Sequence, residues 1–326
     1  MIAAKPPMSG QGTTMPERAL RAGAASRWWI YQRERFPLVA HGILIAAFSI
    51  SAVGYSSLLR SDAPPTPSSM LVAFASSFLF FLQLRILDEV KDYEEDAQYR
   101  SYRPVPRGLV TLRELGRIGV VAAGVQAALA VSLDRRMVLL LLVTWAYLLL
   151  MAREFFVGHW LKARPAVYLS THMLIIPILT LYATACDWLV ARSGVPDGLG
   201  VFLMASFFNA IVIEIGRKVR APADEERGVT TYSAAWGVRR AVYGWVLALS
   251  VTAALALIAA ARIAFVLPVA LIVALLLATA ATIAWRFLRW QAASDARRIE
   301  HMSAAWALLM YLSLGVAPLM MSQGKH

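Results

Sequence analysis

The chain has one cysteine, Cys186, among 326 residues. A single thiol can form neither an intramolecular disulfide nor a cysteine-based zinc site, so both kinds of scaffold are excluded. Charge is sparse too: Asp, Glu, Lys and Arg make up 16% of the chain, against roughly 25% in soluble domains. Acids are the scarcer sign, 20 against 32 bases, which leaves a formal charge of +12. Residues 1–25 are rich in Pro, Gly, Ser, Thr and Ala and lack the apolar h-region of a secretory signal. They read as a disordered tail.

Apolar sequence takes the place of charge. Hydrophobic residues are 59% of the chain and the mean hydropathy is +0.59. Runs long enough to cross a bilayer, roughly 18 residues or more, recur throughout. The pattern predicts an all-α polytopic membrane protein with nine spanning helices near 38–59, 68–90, 115–133, 137–156, 165–189, 198–216, 239–261, 263–285 and 301–321. Ahead of them, Trp28, Trp29 and Tyr31 mix with Arg27, Arg33 and Arg35, which predicts an interfacial helix over 26–36 at headgroup depth. The spanning domain then occupies 37–322.

Counting Lys and Arg across this topology puts 26 on one side and 6 on the other. Cations favour the cytoplasm, so the N-terminus is expected inside and the C-terminus outside, as in a bacterial inner membrane. The same asymmetry explains the basic charge without a nucleic-acid partner.

The chain is organised around Asp88-Glu-Val-Lys-Asp92-Tyr-Glu-Glu-Asp96 at the end of the second span. Aspartates at i, i+4 and i+8 fall on nearly one face of a helix. Three carboxylates in a row repel unless a cation sits among them. Mg²⁺ suits that place: it prefers oxygen, uses one or two carboxylates and takes its other ligands from water and substrate phosphate. A solvated, charged helix end is the alternative. The sixth span ends in a second charged loop holding Glu214, Arg217, Lys218, Arg220 and Asp224. Both loops are expected on the cytoplasmic side. Lying four spans apart, they predict two similar four-helix halves around a central cavity.

Asp88-x-x-x-Asp92-x-x-x-Asp96 followed by Arg103-Pro-Val-Pro-Arg107-Gly108 resembles the first motif of the UbiA superfamily of intramembrane prenyltransferases, with Asp88 in place of the usual Asn. Asp224, Gly228, Thr230-Thr231-Tyr232 and Trp236-Gly237 are similar to the tail of its second motif. Upstream the sequence departs from the family: Arg220 and Arg217 stand where further aspartates are usual, with Glu214 slightly further back. Those cations, with Lys218, either bind phosphate oxygens directly or are ordinary positive-inside residues at a helix end.

The resemblance implies a Mg²⁺-dependent transfer of an isoprenyl group from a prenyl diphosphate donor to a hydrophobic acceptor that is aromatic, a lipid alcohol or a sugar phosphate. It implies Asp88, Asp92, Asp96 and Asp224 as catalytic metal ligands, with Glu214 as a further ligand. Arg103, Arg107, Arg217, Lys218 and Arg220 are the diphosphate-binding candidates. Tyr147, Tyr182, Phe207 and Phe208 are candidates to line an apolar pocket, and Asn209 and His172 to bond between helices. A terpene cyclase of the same fold, or a silent membrane scaffold or carrier, stays open.

Overall fold

The computed structural model describes residues 23–61, 64–226 and 228–323. The reading of residues 1–22 as a tail lies outside them. The described residues form helices and no strands. Eight helices are long and apolar enough to cross a membrane, and a ninth apolar helix, Met137–Ala152, is shorter.

Local sequence sets the boundaries. Helix α1, Ala24–Arg35, covers the aromatic and basic stretch, and α2, Leu38–Arg60, follows it. Helix α3, Pro67–Lys91, opens with Thr66, whose hydroxyl accepts the Ser69 N–H at 3.1 Å, and with Pro67 in the first turn, where its missing N–H costs nothing. A short α4, Tyr93–Tyr99, continues from it. Helix α5, Leu112–Leu133, begins in a capping box between Thr111 and Glu114.

Helix α6, Met137–Ala152, ends before residue 156, because Glu154, Phe155 and Phe156 all take positive φ. That left-handed turn leads through α7, Gly158–Lys162, into the fifth span. The fifth span is two helices, α8, Pro165–Met173, and α9, Ile175–Trp188. Pro177 has no N–H for the carbonyl four residues back, that of Met173, and the span breaks there. Helices α10, Leu199–Arg217, and α11, Tyr232–Trp236, flank the second charged loop. Then come α12, Val238–Arg262, α13, Val266–Trp290, and α14, Ala293–Tyr311.

Packing closes these helices into two rings of four. Helices α3, α5, α6 and α9 each touch the next, and α9 returns to α3; α10, α12, α13 and α14 repeat the arrangement. Helix α2 fills the seam, against α3 and α9 on one side and α14 on the other. After Tyr311 the last span widens into a π turn, Leu312–Val316, before α15, Ala317–Gln323. Ser51 of α2 donates to the Tyr311 carbonyl at 2.5 Å. A Cβ on Gly315 would overlap the Ser51 backbone, so only glycine permits this crossing.

Candidate functional site

The first acidic stretch keeps its helical spacing through the change from α3 to α4. Asp92 N–H donates to the Asp88 carbonyl at 2.9 Å and Asp96 N–H to the Asp92 carbonyl at 2.8 Å. The three side chains nevertheless meet different surroundings. Asp88 is 44% exposed and has Arg85 at 3.6 Å. Asp92 is half-buried and makes no ion pair among the described residues. Its carboxyl is held above the usual range, first by burial and then by the Asp88 charge. Asp96 is buried, with Arg100 Nε at 3.0 Å and Arg103 at 2.6 Å.

The cations around this stretch are mostly committed elsewhere. Arg107 donates to Glu34 of α1 at 2.9 Å and to the Tyr102 carbonyl at 2.8 Å. Glu89, between Asp88 and Asp92, is buried and paired with Arg35 of α1 and with Arg85 at 3.4 Å. Lys91 would naturally neutralise Asp88 one turn back. It points instead to α8, where Nζ donates to the Tyr168 hydroxyl at 2.5 Å and lies 3.4 Å from Glu154. Lys91 thus forms no ion pair with Asp88 or Asp92 among the described residues, although it stands between them in sequence.

Across the bundle, Glu214 is buried near the end of α10 and holds Arg217 at 2.5 Å and Lys218 at 2.9 Å. Arg217 remains half exposed while paired with Glu214. Arg220 lies 3.8 Å from Glu300. Asp224 is exposed on a short turn, Pro222–Asp224, with no ion pair among the described residues. The neck of this loop is tied where Tyr232 N–H meets the Lys218 carbonyl at 3.0 Å and Arg220 N–H meets Ser233 Oγ at 2.8 Å. Burial and the nearby Glu214 push the Tyr232 phenol above its ordinary range, so it stays neutral. The two loops touch: Gly228 packs on the Tyr99 ring.

Among the described residues no three His, Cys, Asp or Glu side chains converge as a metal cluster would. Mg²⁺ does not need three, since one or two carboxylates with water and phosphate suffice. Asp92 without an ion pair among the described residues, its carboxyl raised by burial and then by Asp88, is with Asp88 the donor set such an ion fits.

A model of the UbiA prenyltransferase family matches residues 30–320, which takes in both charged loops. The chain belongs to the UbiA prenyltransferase family.

Solved UbiA structures agree with the fold. The apo UbiA homolog of Aeropyrum pernix K1 superposes with a TM-score of 0.64 at 16% identity, over 87% of this chain and 98% of that one. A digeranylgeranylglyceryl phosphate synthase gives 0.62 at 14% identity, over 90% and 99%. A UbiA homolog from Archaeoglobus fulgidus bound to GPP and Mg²⁺ gives 0.53 at 14%, over 87% and 99%. At such identities the likeness is one of fold. No curated protein sequence matches the chain.

Within this UbiA bundle, several groups near the loops escape a sequence reading. Lys91, Glu154 and Tyr168 form one cluster from three elements. Its assembly depends on the left-handed turn at 154–156, for which the sequence carries no glycine signal. His172, expected to bond between helices, instead meets the Tyr168 carbonyl of its own helix at 2.9 Å, because the i−4 carbonyl is the nearer acceptor. Asn209 is buried, and its Oδ1 has no hydrogen-bond partner among the described residues. Of the aromatic candidates, Tyr147 packs on Phe155, Phe207 on Phe208, and Tyr182 is fully buried against Phe80.

Proposed function

We propose that this protein is an intramembrane prenyltransferase that moves an isoprenyl group from a prenyl diphosphate to a hydrophobic or aromatic acceptor, with Mg²⁺ as cofactor. The observation that carries the reading is Asp92, half-buried and without an ion pair among the described residues, in a bundle whose other charged loop holds the Arg217–Glu214–Lys218 triad. Family membership supplies the reaction class. Solved UbiA homologs bound to DMAPP and Mg²⁺ and to GPP and Mg²⁺ support the donor.

Asp88 and Asp92 would hold the ion, with Asp224 from the second loop. Bound there, Mg²⁺ would offset the charge that grows on the leaving diphosphate. The rest falls to the chain. Arg217 and Lys218 grip diphosphate oxygens where relatives use further aspartates, and Glu214 aims them rather than binding metal. Arg220, 3.8 Å from Glu300, is a third cation of the same loop. Asp96 anchors Arg103 and Arg100, which closes the first loop, and Arg107 ties that loop to α1. The apolar bundle would keep water from the allylic cation. Both loops and the N-terminus would face the cytoplasm, with the C-terminus outside, in line with the Lys and Arg asymmetry.

The test is diphosphate release by purified protein given C10, C15 and C20 prenyl diphosphates with Mg²⁺, with and without a membrane lipid extract, and with analysis of the organic products. Release that needs the extract establishes transfer. A cyclised hydrocarbon formed without it would replace transfer by cyclisation. Silence in both would sink the reading.

A further inference from the structure

One buried group near the site has no role in diphosphate binding. His172 is 7% exposed, near the end of α8. Its Nδ1 lies 2.9 Å from the Tyr168 carbonyl, a shorter approach than the 3.4 Å to Thr171 Oγ1. A carbonyl only accepts, so Nδ1 carries the proton and Nε2 carries the lone pair. That Nε2 is buried with no hydrogen-bond partner. A basic nitrogen left unsatisfied inside a protein is costly, and a ligand that donates to it removes the cost.

The surroundings are built for this nitrogen. The ring stacks on Tyr168 at 3.9 Å and meets the edge of Phe155 at 6.0 Å. Phe155 is delivered by the turn Glu154–Phe156, whose three positive φ values are 48°, 53° and 61°. Non-glycine residues rarely adopt that region, so tertiary structure must hold the turn. The same turn sends Glu154 to Lys91, and Gly158 leaves room for it: a Cβ there would stand 2.6 Å from Glu154 Oε2. Position matters as well. Tyr168 contacts Lys91 beside the acidic stretch, and His172 lies one turn further into the bilayer, about 6 Å along the helix. In the prenyl-transfer reading, a donor whose diphosphate meets the charged loops would extend its chain toward that depth.

We propose that His172 Nε2 is the proton acceptor for the prenyl acceptor, and that the acceptor is therefore a hydroxyl compound, a phenol or an alcohol. This rests on the prenyl-transfer reading above. The hydroxyl donates to Nε2 on binding. Its oxygen bonds to C1 of the donor as the C1–O bond breaks and the electron pair leaves on the diphosphate. The hydroxyl proton goes to Nε2, while Nδ1–H keeps its bond to the Tyr168 carbonyl, and the released diphosphate or water then takes the proton away.

The experiment loads the full-length protein with Mg²⁺ and geranyl S-thiolodiphosphate, an inert donor analogue, and titrates it with 2-naphthol, using hexadecanol as a competitor. Wild type is expected to bind naphthol. His172→Phe keeps the stacked ring and should bind the analogue within about twofold but naphthol at least about tenfold more weakly. His172→Gln restores a hydrogen-bond acceptor without a base. It should bind naphthol near wild type yet turn over geranyl diphosphate about 100-fold more slowly. Equal naphthol affinity in wild type and the Phe variant, or full turnover by the Gln variant, overturns the proposal. So does an analogue-loaded wild type that takes neither naphthol nor hexadecanol. A wild type that does not bind the analogue at all removes the prenyl-transfer reading itself, and this inference with it.

Discussion

Gly228 of the second charged loop lies against the Tyr99 ring at the end of the first, so closely that a Cβ on it would stand 2.5 Å from the ring. Its φ of +77° adds a second demand for glycine. The two motifs, far apart in sequence, therefore close on each other through one residue without a side chain. Gly228→Ala should lower thermal stability in detergent by about 1–3 kcal/mol from backbone strain and overlap. Gly228→Ala with Tyr99→Ala should recover only the overlap part. An unchanged melting temperature in the single variant would mean the loops do not meet.

Glu214 offers a way to separate structural from binding roles. Removing both partners in Arg217→Ala with Lys218→Ala leaves a buried carboxylate uncompensated, which costs about 3–5 kcal/mol. Adding Glu214→Gln should restore most of that stability. It should not restore affinity for the prenyl diphosphate, expected to fall about 10-fold or more with the two cations gone. A triple variant with wild-type donor affinity would make these residues topological only.

Asp92 predicts opposite pH trends for two quantities. Its folded carboxyl is raised above the ordinary value, about 3.9, so the folded protein binds a proton more tightly than the unfolded chain does. Without metal, the Asp92 contribution to stability is present at low pH and is lost as pH rises through the raised value. Mg²⁺ needs the carboxylate, so its affinity should rise over the same interval. Asp92→Asn should flatten both trends, with unfolding curves and Mg²⁺ titrations at several pH values as the readout. Trends that survive the substitution would assign them to another group.

Much of this was legible in the sequence. Apolar runs gave the spans, because in lipid every backbone group must be satisfied within a helix, and hydropathy then reports helices directly. The helical register of Asp88, Asp92 and Asp96 was legible too, since i, i+4 spacing is local. Side-chain pairing was not legible. Nothing in the sequence says that Lys91 turns to Tyr168 and Glu154, that Asp96 is taken up by Arg100 and Arg103, or that Glu214 is held by two cations. Those choices depend on which helices become neighbours. The short α6 and the left-handed turn after it also escaped, because Glu154, Phe155 and Phe156 carry no glycine to announce positive φ.

Gly315 is the position least able to accept change in the helix seam. Gly315→Ala would force its Cβ into the Ser51 backbone, which a flexible side chain cannot relieve. Overpacking of this kind costs about 1–3 kcal/mol or more. Ser51→Gly cannot compensate, because the overlap is with Ser51 backbone atoms. A Gly315→Ala protein as stable as wild type in thermal unfolding would mean α2 and the π turn after α14 cross more loosely.

The most direct test of the central claim is calorimetric binding of geranyl diphosphate to wild type and Asp92→Asn, each with Mg²⁺ and with EDTA. Tight binding by wild type in Mg²⁺, lost in EDTA and in Asp92→Asn, is the predicted result. Binding of equal strength in all four conditions would contradict a metal–diphosphate site at Asp88 and Asp92.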